Sequence, residues 1–193
     1  MITSLLSLVY DHMNLKLLED EIEIDESFLF REKKSKAYRR RHKPRSQWLF
    51  GMKKRGSLDF VVVPVQKRDE ITLNSLILKH INISSTIYSD SYSVYVNNFS
   101  FPKTSKLIPY GYAHIFVNHK IEFVSAFFKS CHTNTVERLW LEIKTYLKKM
   151  RCTSKYMYSI YRYYYIKNLS KELQFTILVK ALHNQQVMWP EDQ

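Results

Sequence analysis

Three β-rich runs near the start of the chain constrain its fold more than any other feature. The first run, residues 21–30, alternates acidic and apolar residues before turning apolar, as a strand with one wet face does. The next two runs, 48–53 and 58–65, are separated by KRGS, whose Gly56 supplies a turn, so they predict a hairpin. The three runs together predict three consecutive antiparallel strands.

The segments that follow predict a change to parallel pairing. Residues 72–80 have apolar side chains at helical spacing and lead to a short apolar run at 85–89, a strand–helix–strand connection. A helical turn is expected at 91–98, a fifth strand at 114–117 and a long helix at 134–150. This order, β-β-β-α-β-α-β-α, is that of the ribonuclease H-like fold. We therefore predict an α/β protein with a mixed five-stranded sheet, three antiparallel then parallel strands, flanked by helices.

The 193 residues are enough for one domain with short additions. Residues 1–20 predict a short amphipathic helical segment, 21–155 the ribonuclease H-like domain, and 156–193 a helical tail. The tail carries six tyrosines between 156 and 166, interleaved with basic residues. Two interpretations stay open for them: helical packing against the sheet, or stacking on unpaired bases at a cleaved DNA end.

Positive charge predicts a polyanionic partner. The chain has 30 Lys and Arg against 18 Asp and Glu, a net charge of +12. Nine of the fifteen residues in 31–45 are Lys or Arg, a density that cannot be buried. The alternative is a solvated loop or localisation signal that contacts no DNA. The predicted DNA-binding residues of this basic segment are Arg39, Arg40, Arg41, Lys43 and Arg45.

Several classes of protein are disfavoured by composition. Three glycines in the whole chain exclude a glycine-rich phosphate loop, so we expect no nucleotide cofactor. Two cysteines without a CxxC pair suggest neither a disulfide framework nor a structural zinc site. The first 20 residues lack a basic start and contain four acidic or histidine residues, so we expect no signal peptide and no membrane partner. The expected location is intracellular, and nuclear in a eukaryotic host.

Three acidic residues suit phosphodiester chemistry: Asp25 in the first strand, Asp90 at the end of the fourth, and Glu137 in the long helix. Cutting or joining a phosphodiester needs an activated attacking oxygen and a stabilised leaving oxygen, and two divalent ions supply both. Carboxylates are suitable ligands for Mg²⁺ or Mn²⁺. We therefore expect a metal-binding triad that holds two such ions. Glu21 and Glu23 share the strand face of Asp25 and are interpreted as solvated carboxylates.

The long helix should place Glu137 beside its buried stripe. At about 100° per residue, Glu137 lies in line with Lys144 and Lys148, next to the apolar stripe that contains Val136 and Ile143. Lys144 follows Glu137 by two helical turns and could hold a DNA phosphate near the metal ions. Lys148 is a second predicted DNA ligand. The alternative for Lys144 is an exposed lysine without such a role.

These stretches resemble the catalytic domain of ISXO-like DDE transposases, in particular those of Merlin-type DNA transposons. The matching stretches run in the same order over most of the chain: EIDESF, QWLFGMKKRG, FVVVP, STIYSDSYSVY, GYAHIFVNH and HTNTVERLWLEIK. The last, with Glu137, Trp140 and Lys144, is the most specific. Relatives carry an N-terminal region that recognises transposon ends, for which residues 1–20 are short. We interpret them as a possible remnant.

The resemblance implies a transposase that binds transposon ends, nicks DNA with water and joins the freed 3′ hydroxyl to target DNA, as a homo-oligomer assembled on DNA. It assigns Asp25, Asp90 and Glu137 as the catalytic metal ligands and Lys144 as the following basic residue. Asn replaces the third acid in some relatives, so Asn134 is an accessory candidate. His132 and His119 also fall in matching stretches, with a structural role as the alternative.

Two other functions stay open at this point. The first is a catalytically silent, domesticated or fragmentary transposase-derived protein that binds DNA or another partner. The second is a nuclease of the same fold that acts on RNA·DNA hybrids or junctions. Only the motif sequences argue against the nuclease, because the metal chemistry would be the same.

Overall fold

We analysed the fold in a computed structural model, which describes residues 2–31, 46–97, 99–100, 102–117, 132–150 and 156–186. In chain order its elements are α1 (Ile2–Asn14), β1 (Glu21–Arg31), β2 (Ser46–Lys54), β3 (Phe60–Val65), α2 (Glu70–His80), β4 (Thr86–Asp90), β5 (Val96–Asn97), β6 (Thr104–Ser105), β7 (Ala113–Val117), α3 (Asn134–Lys149), α4 (Tyr156–Asn168) and α5 (Lys171–Gln186). They group into two compact units, residues 17–142 and residues 1–16 with 143–193. The boundary between the units falls within α3.

The larger unit is built on a five-stranded mixed sheet with the order β3-β2-β1-β4-β7. Strands β1, β2 and β3 pair antiparallel, whereas β4 pairs parallel with both β1 and β7. Helix α2 makes the connection to the parallel part and begins at Asp69, whose side chain accepts a hydrogen bond from Thr72 N at 2.9 Å. The predicted ribonuclease H-like fold, with its five-stranded mixed sheet and flanking helices, is confirmed.

The central strand β1 places different chemistry on its two faces. Ile22 and Ile24 point to one face and are completely buried, at about 1.5–3 kcal/mol for each apolar side chain. Glu23 and Asp25 point to the opposite face, since successive side chains of a strand alternate. Glu23 is also fully buried, so its interpretation as a solvated carboxylate was wrong. This second face of β1 carries the candidate site.

The smaller unit contains α1, α4, α5 and the second half of α3. Helix α1 packs on α4 and α5, and its Tyr10 ring lies 5.5 Å from the ring of Tyr161. Tyr163 and Tyr164 are buried within this unit, and both interpretations of the tail tyrosines, packing against the sheet and stacking on unpaired bases, remain predictions. The tail, which was predicted to be helical, consists of the two helices α4 and α5.

Local details differ from the expected elements. The described part of the segment predicted as a helical turn, 91–97, forms a single turn, in which Tyr95 N and Val96 N donate to Tyr92 O, before β5 pairs with β6. A two-residue strand was not visible in the sequence because it has too few residues to show alternation. Helix α1 stops at Asn14, before the apolar Leu18, which is buried beside Ile81 in an isolated bridge. The predicted domain boundaries at residues 20 and 155 remain predictions.

Candidate active site

Asp25 and Asp90 lie on neighbouring parallel strands. The β1–β4 register pairs Glu23 with Tyr88, and two further residues on each strand lead to Asp25 and Asp90. Both carboxylates therefore project from the same face near the end of β4. The Asp90 carboxylate is held by the backbone, because its Oδ1 accepts a hydrogen bond from Tyr92 N at 2.9 Å.

Glu137 lies in the first turn of α3. Its Oε1 accepts a hydrogen bond from the Thr133 hydroxyl at 3.1 Å, and its backbone N–H donates to Thr133 O. The residue is exposed, whereas Val136 and Leu139 of the same helix are buried. The predicted position beside the buried stripe is therefore more open to solvent than expected. An exposed carboxylate at the end of a docked helix remains accessible to ligands.

Glu23 anchors the helix that carries Glu137. Its Oε2 accepts a hydrogen bond from Val136 N at 2.9 Å, an amide of the first helical turn that has no partner within α3. Its Oε1 accepts one from Arg55 Nε at 2.8 Å, and Arg55 Nη2 donates to His132 O at 2.5 Å. The negative charge also favours a helix N-terminus. Glu23 therefore fixes the start of α3 against β1.

The three predicted acids interact electrostatically at Asp25. The pKa of Asp25 is raised to about 7, mainly by burial, and the charges of Asp90 and Glu137 contribute to the rise. The hydrogen bond from Trp140 Nε1 to Asp25 Oδ2, 2.9 Å long, opposes this rise and is the second-largest influence on that pKa. The fold thus brings Asp25, Asp90 and Glu137 into one acidic cluster. Their role as metal ligands stays a prediction.

A fourth acid borders this cluster on the other face of β1. The pKa of Glu26 is raised to about 7, mainly by burial and with further contributions from Asp25 and Asp90, while the hydrogen bond donated by the Tyr95 hydroxyl opposes the rise. Arg68 is the nearby cation, with Nη1 3.9 Å from Glu26 Oε2 and its guanidinium 3.5 Å from the ring centroid of Trp48. Neither Glu26 nor Arg68 was predicted from the sequence. Glu26 directly follows Asp25, but adjacency alone gave it no role.

The donor set suits a hard divalent cation. Asp25, Asp90 and Glu137 offer only carboxylate oxygens, which Mg²⁺ and Mn²⁺ prefer. Two carboxylates raise the pKa of Asp25, so a cation there would relieve unfavourable charge. Within the described part of the chain, no group of three His, Cys, Asp or Glu side chains is already arranged to hold a metal ion. The residues fit the chemistry of the ion, and the side chains would have to adjust around it.

The remaining predicted residues divide by position. Asn134 is exposed at the first position of α3, and His132 Nδ1 lies 3.4 Å from Glu23 Oε1, beside the helix anchor. Lys144 and Lys148 are exposed on α3 and belong to the smaller unit. The other predicted residues lie outside the described part of the chain: Arg39, Arg40, Arg41, Lys43, Arg45 and His119.

Fold and site together define a ribonuclease H-like domain with an acidic cluster where β1, β4 and α3 meet. The family model described as ISXO2-like transposase domain matches residues 17–169, and the chain therefore belongs to this transposase family. The predicted ISXO-like membership is confirmed, while the closer likeness to Merlin-type transposases remains a prediction. No protein with a curated description matches the chain. In the described residues, no helix is both long and apolar enough to cross a membrane.

Proposed function

We propose that this chain cleaves transposon-end DNA and joins the freed 3′ hydroxyl to target DNA, with Asp25, Asp90 and Glu137 as its catalytic metal ligands. The observation that carries the proposal is the acidic cluster itself, in which Asp90 and Glu137 both raise the pKa of the buried Asp25. Such a concentration of negative charge destabilises a fold unless a cation binds there. Membership of the transposase family supports the same chemistry.

Each of the three acids would have a distinct task. Asp25 and Asp90, on neighbouring strands, would form the fixed part of a site for two Mg²⁺ or Mn²⁺ ions. Glu137, on the helix anchored by Glu23, would complete it from the solvent side. When bound, the ions would activate the attacking oxygen and stabilise the leaving oxygen. The role of the protein is to hold its ligands and the DNA strand in place.

Positively charged side chains would hold the DNA. Lys144 and Lys148 are exposed and suited to phosphate contacts, and the basic segment of Arg39, Arg40, Arg41, Lys43 and Arg45 would add further ones. A net charge of +12 favours association with any nucleic acid, so the sequence of the transposon end must be read by other contacts. A homo-oligomer would form on paired transposon ends, in the nucleus if the host is eukaryotic.

Metal-dependent cleavage of labelled transposon-end DNA by the purified chain tests this proposal. We expect Asp90→Ala and Glu137→Gln to abolish nicking and joining in Mn²⁺ while they leave DNA binding within about threefold. Glu142→Gln is the matched control, since Glu142 lies on the same helix and is exposed in an ion pair with Arg138. Asp90→Ala that nicks as fast as the unmutated chain would refute the metal-ligand assignment.

The same experiment separates the two other functions. DNA binding by the unmutated chain without Mn²⁺-dependent cleavage would favour the catalytically silent, transposase-derived DNA-binding protein. Cleavage of RNA·DNA hybrids in preference to transposon ends would favour the nuclease. The finding that the chain belongs to the ISXO2-like transposase family argues for cleavage and joining of DNA over both.

A further inference from the structure

Gly51 has an unusual place among the three glycines of this chain. Gly56 and Gly111 have φ values of +64° and +92°, so both occupy turns that favour glycine for its backbone freedom. Gly51 is instead part of strand β2, directly opposite Asp25 in the β1–β2 pairing. Its lack of a side chain must serve a purpose other than a turn.

The space beside Gly51 is filled by the indole of Trp140. A Cβ atom at position 51 would lie 2.5 Å from Trp140 Cζ2 and 2.7 Å from Cη2, closer than such atoms can approach. Trp140 is only 5% exposed, so the ring has little room to move away. Directly opposed side chains in an antiparallel pair are about 5 Å apart at Cβ, so any side chain at 51 would take the place of the indole next to Asp25.

From this position the indole N–H reaches the catalytic carboxylate. Trp140 Nε1 lies 2.9 Å from Asp25 Oδ2, a normal length for a hydrogen bond to a charged acceptor. Indole can only donate, so the contact fixes Oδ2 of Asp25 toward the ring and sets the orientation of the carboxylate. Trp140 also belongs to α3, three residues after Glu137, so one side chain contacts the first acid from the helix of the third.

We propose that Trp140, seated on Gly51, is a positioning residue that holds the Asp25 carboxylate in the orientation needed to bind a divalent metal ion. The inference rests on the proposed function. Hydrogen bonds from residues behind the metal ligands typically contribute 10- to 100-fold to metal affinity or activity. If Trp140 served packing alone, its replacement would lower stability without a specific effect on metal affinity.

Mn²⁺ affinity of the full chain, measured without DNA by the EPR signal of free Mn²⁺, tests the inference. Trp140→Phe removes the N–H donor and keeps an aromatic ring, and we expect it to weaken Mn²⁺ binding about 10- to 100-fold. Cleavage by this variant should recover as Mn²⁺ is raised, because the site remains but is poorly oriented. Trp48→Phe is the matched control: Trp48 lies on the same strand as Gly51 and stacks on Arg68, and its replacement should leave Mn²⁺ affinity within about twofold.

Gly51→Ala provides a second test that does not depend on the N–H donor. In the unmutated background it should displace the indole and weaken Mn²⁺ binding in the same way. In the Trp140→Phe background it should add less than about threefold, since the smaller ring lacks the atoms that clash, and this double variant remains informative if Gly51→Ala alone does not fold. Thermal unfolding of every variant reports folding separately.

The outcomes separate this inference from the proposed function. Mn²⁺ binding by the unmutated chain that Trp140→Phe leaves within twofold would overturn the positioning role alone. Absence of Mn²⁺ binding by the unmutated chain would overturn the metal assignment and the positioning role together. Equal losses of affinity in Trp140→Phe and Trp48→Phe would show that the effect comes from general destabilisation, which also overturns the inference.

Discussion

Asp25→Asn is expected to stabilise the metal-free protein at pH 8. The folded chain raises the pKa of this carboxyl from 3.8 to about 7, mainly by burial, so it keeps a proton that the unfolded chain has already released. The stability from this group is complete below pH 3.8 and is lost as the pH rises through about 7. At pH 8 the folded protein therefore carries a buried charge that asparagine would not have.

The size of the gain follows from the two pKa values. A separation of about 3 pH units corresponds to about 4 kcal/mol, which is an upper bound because the site can relax or admit water. About half of this gain in unfolding free energy, roughly 2 kcal/mol, should be measurable at pH 8. The gain should fall to about a few tenths of a kcal/mol near pH 4. Asparagine keeps an oxygen acceptor for Trp140 Nε1, so the hydrogen bond is not lost with the charge.

Urea unfolding in EDTA at pH 4.5, 6 and 8 measures this difference. Asp69→Asn is the control: Asp69 is an exposed helix cap whose pKa is lowered by the bonds it accepts from Thr72, so its replacement should give no gain at pH 8. Addition of Mn²⁺ should stabilise the unmutated chain and not Asp25→Asn. An Asp25→Asn chain that is no more stable than the unmutated one at pH 8 would refute the assignment of unfavourable charge to this residue.

Two further predictions concern the helix anchor and the basic segment. Glu23→Ala leaves Arg55 without its buried partner and should cost about 3–5 kcal/mol in urea unfolding, with a smaller loss for Glu23→Gln; a loss below 1 kcal/mol would contradict the anchor. Replacement of Arg39, Arg40 and Arg41 by alanine should reduce the slope of log DNA affinity against log salt concentration by about one unit per lost phosphate contact. An unchanged slope would favour the alternative, a solvated loop that contacts no DNA.

The larger elements of the fold could be predicted because their signals are local. The alternation in β1 and the Gly56 turn lie within short windows, and the change to parallel pairing was predicted from the strand–helix–strand connection. The β5–β6 ribbon could not be predicted, since strands of two residues show no period and depend on tertiary contacts. The start of α2 was placed two residues late because the capping Asp69 was not considered.

The candidate site was only partly predictable, because the burial and the partners of its side chains depend on which residues meet across the sheet. Asp25 was predicted from its place in the first strand, Asp90 from the end of the fourth, and both from motif context, which the sequence carries. Glu23 was misjudged because alternation shows that it shares a face with Asp25 but not what covers that face. The helix that carries Glu137 could have indicated the burial of Glu23. A helix that brings Glu137 close to Asp25 also covers Glu23, which lies two residues earlier on the same face of the strand.

Strand β1 therefore combines a stabilising and a destabilising carboxylate on one face. Glu23 is matched by Arg55 and the first turn of α3, whereas Asp25 faces two further acids and accepts hydrogen bonds from the Trp140 indole and the Glu26 backbone. Glu23 fixes the start of the helix, so Glu137 cannot move away from Asp25 without breaking that anchor. A fold arranged in this way holds its negative charge together in the absence of a cation. Binding of a divalent ion would then release energy already stored in the folded chain, which makes the anchor at Glu23 as necessary to the proposed site as its ligands.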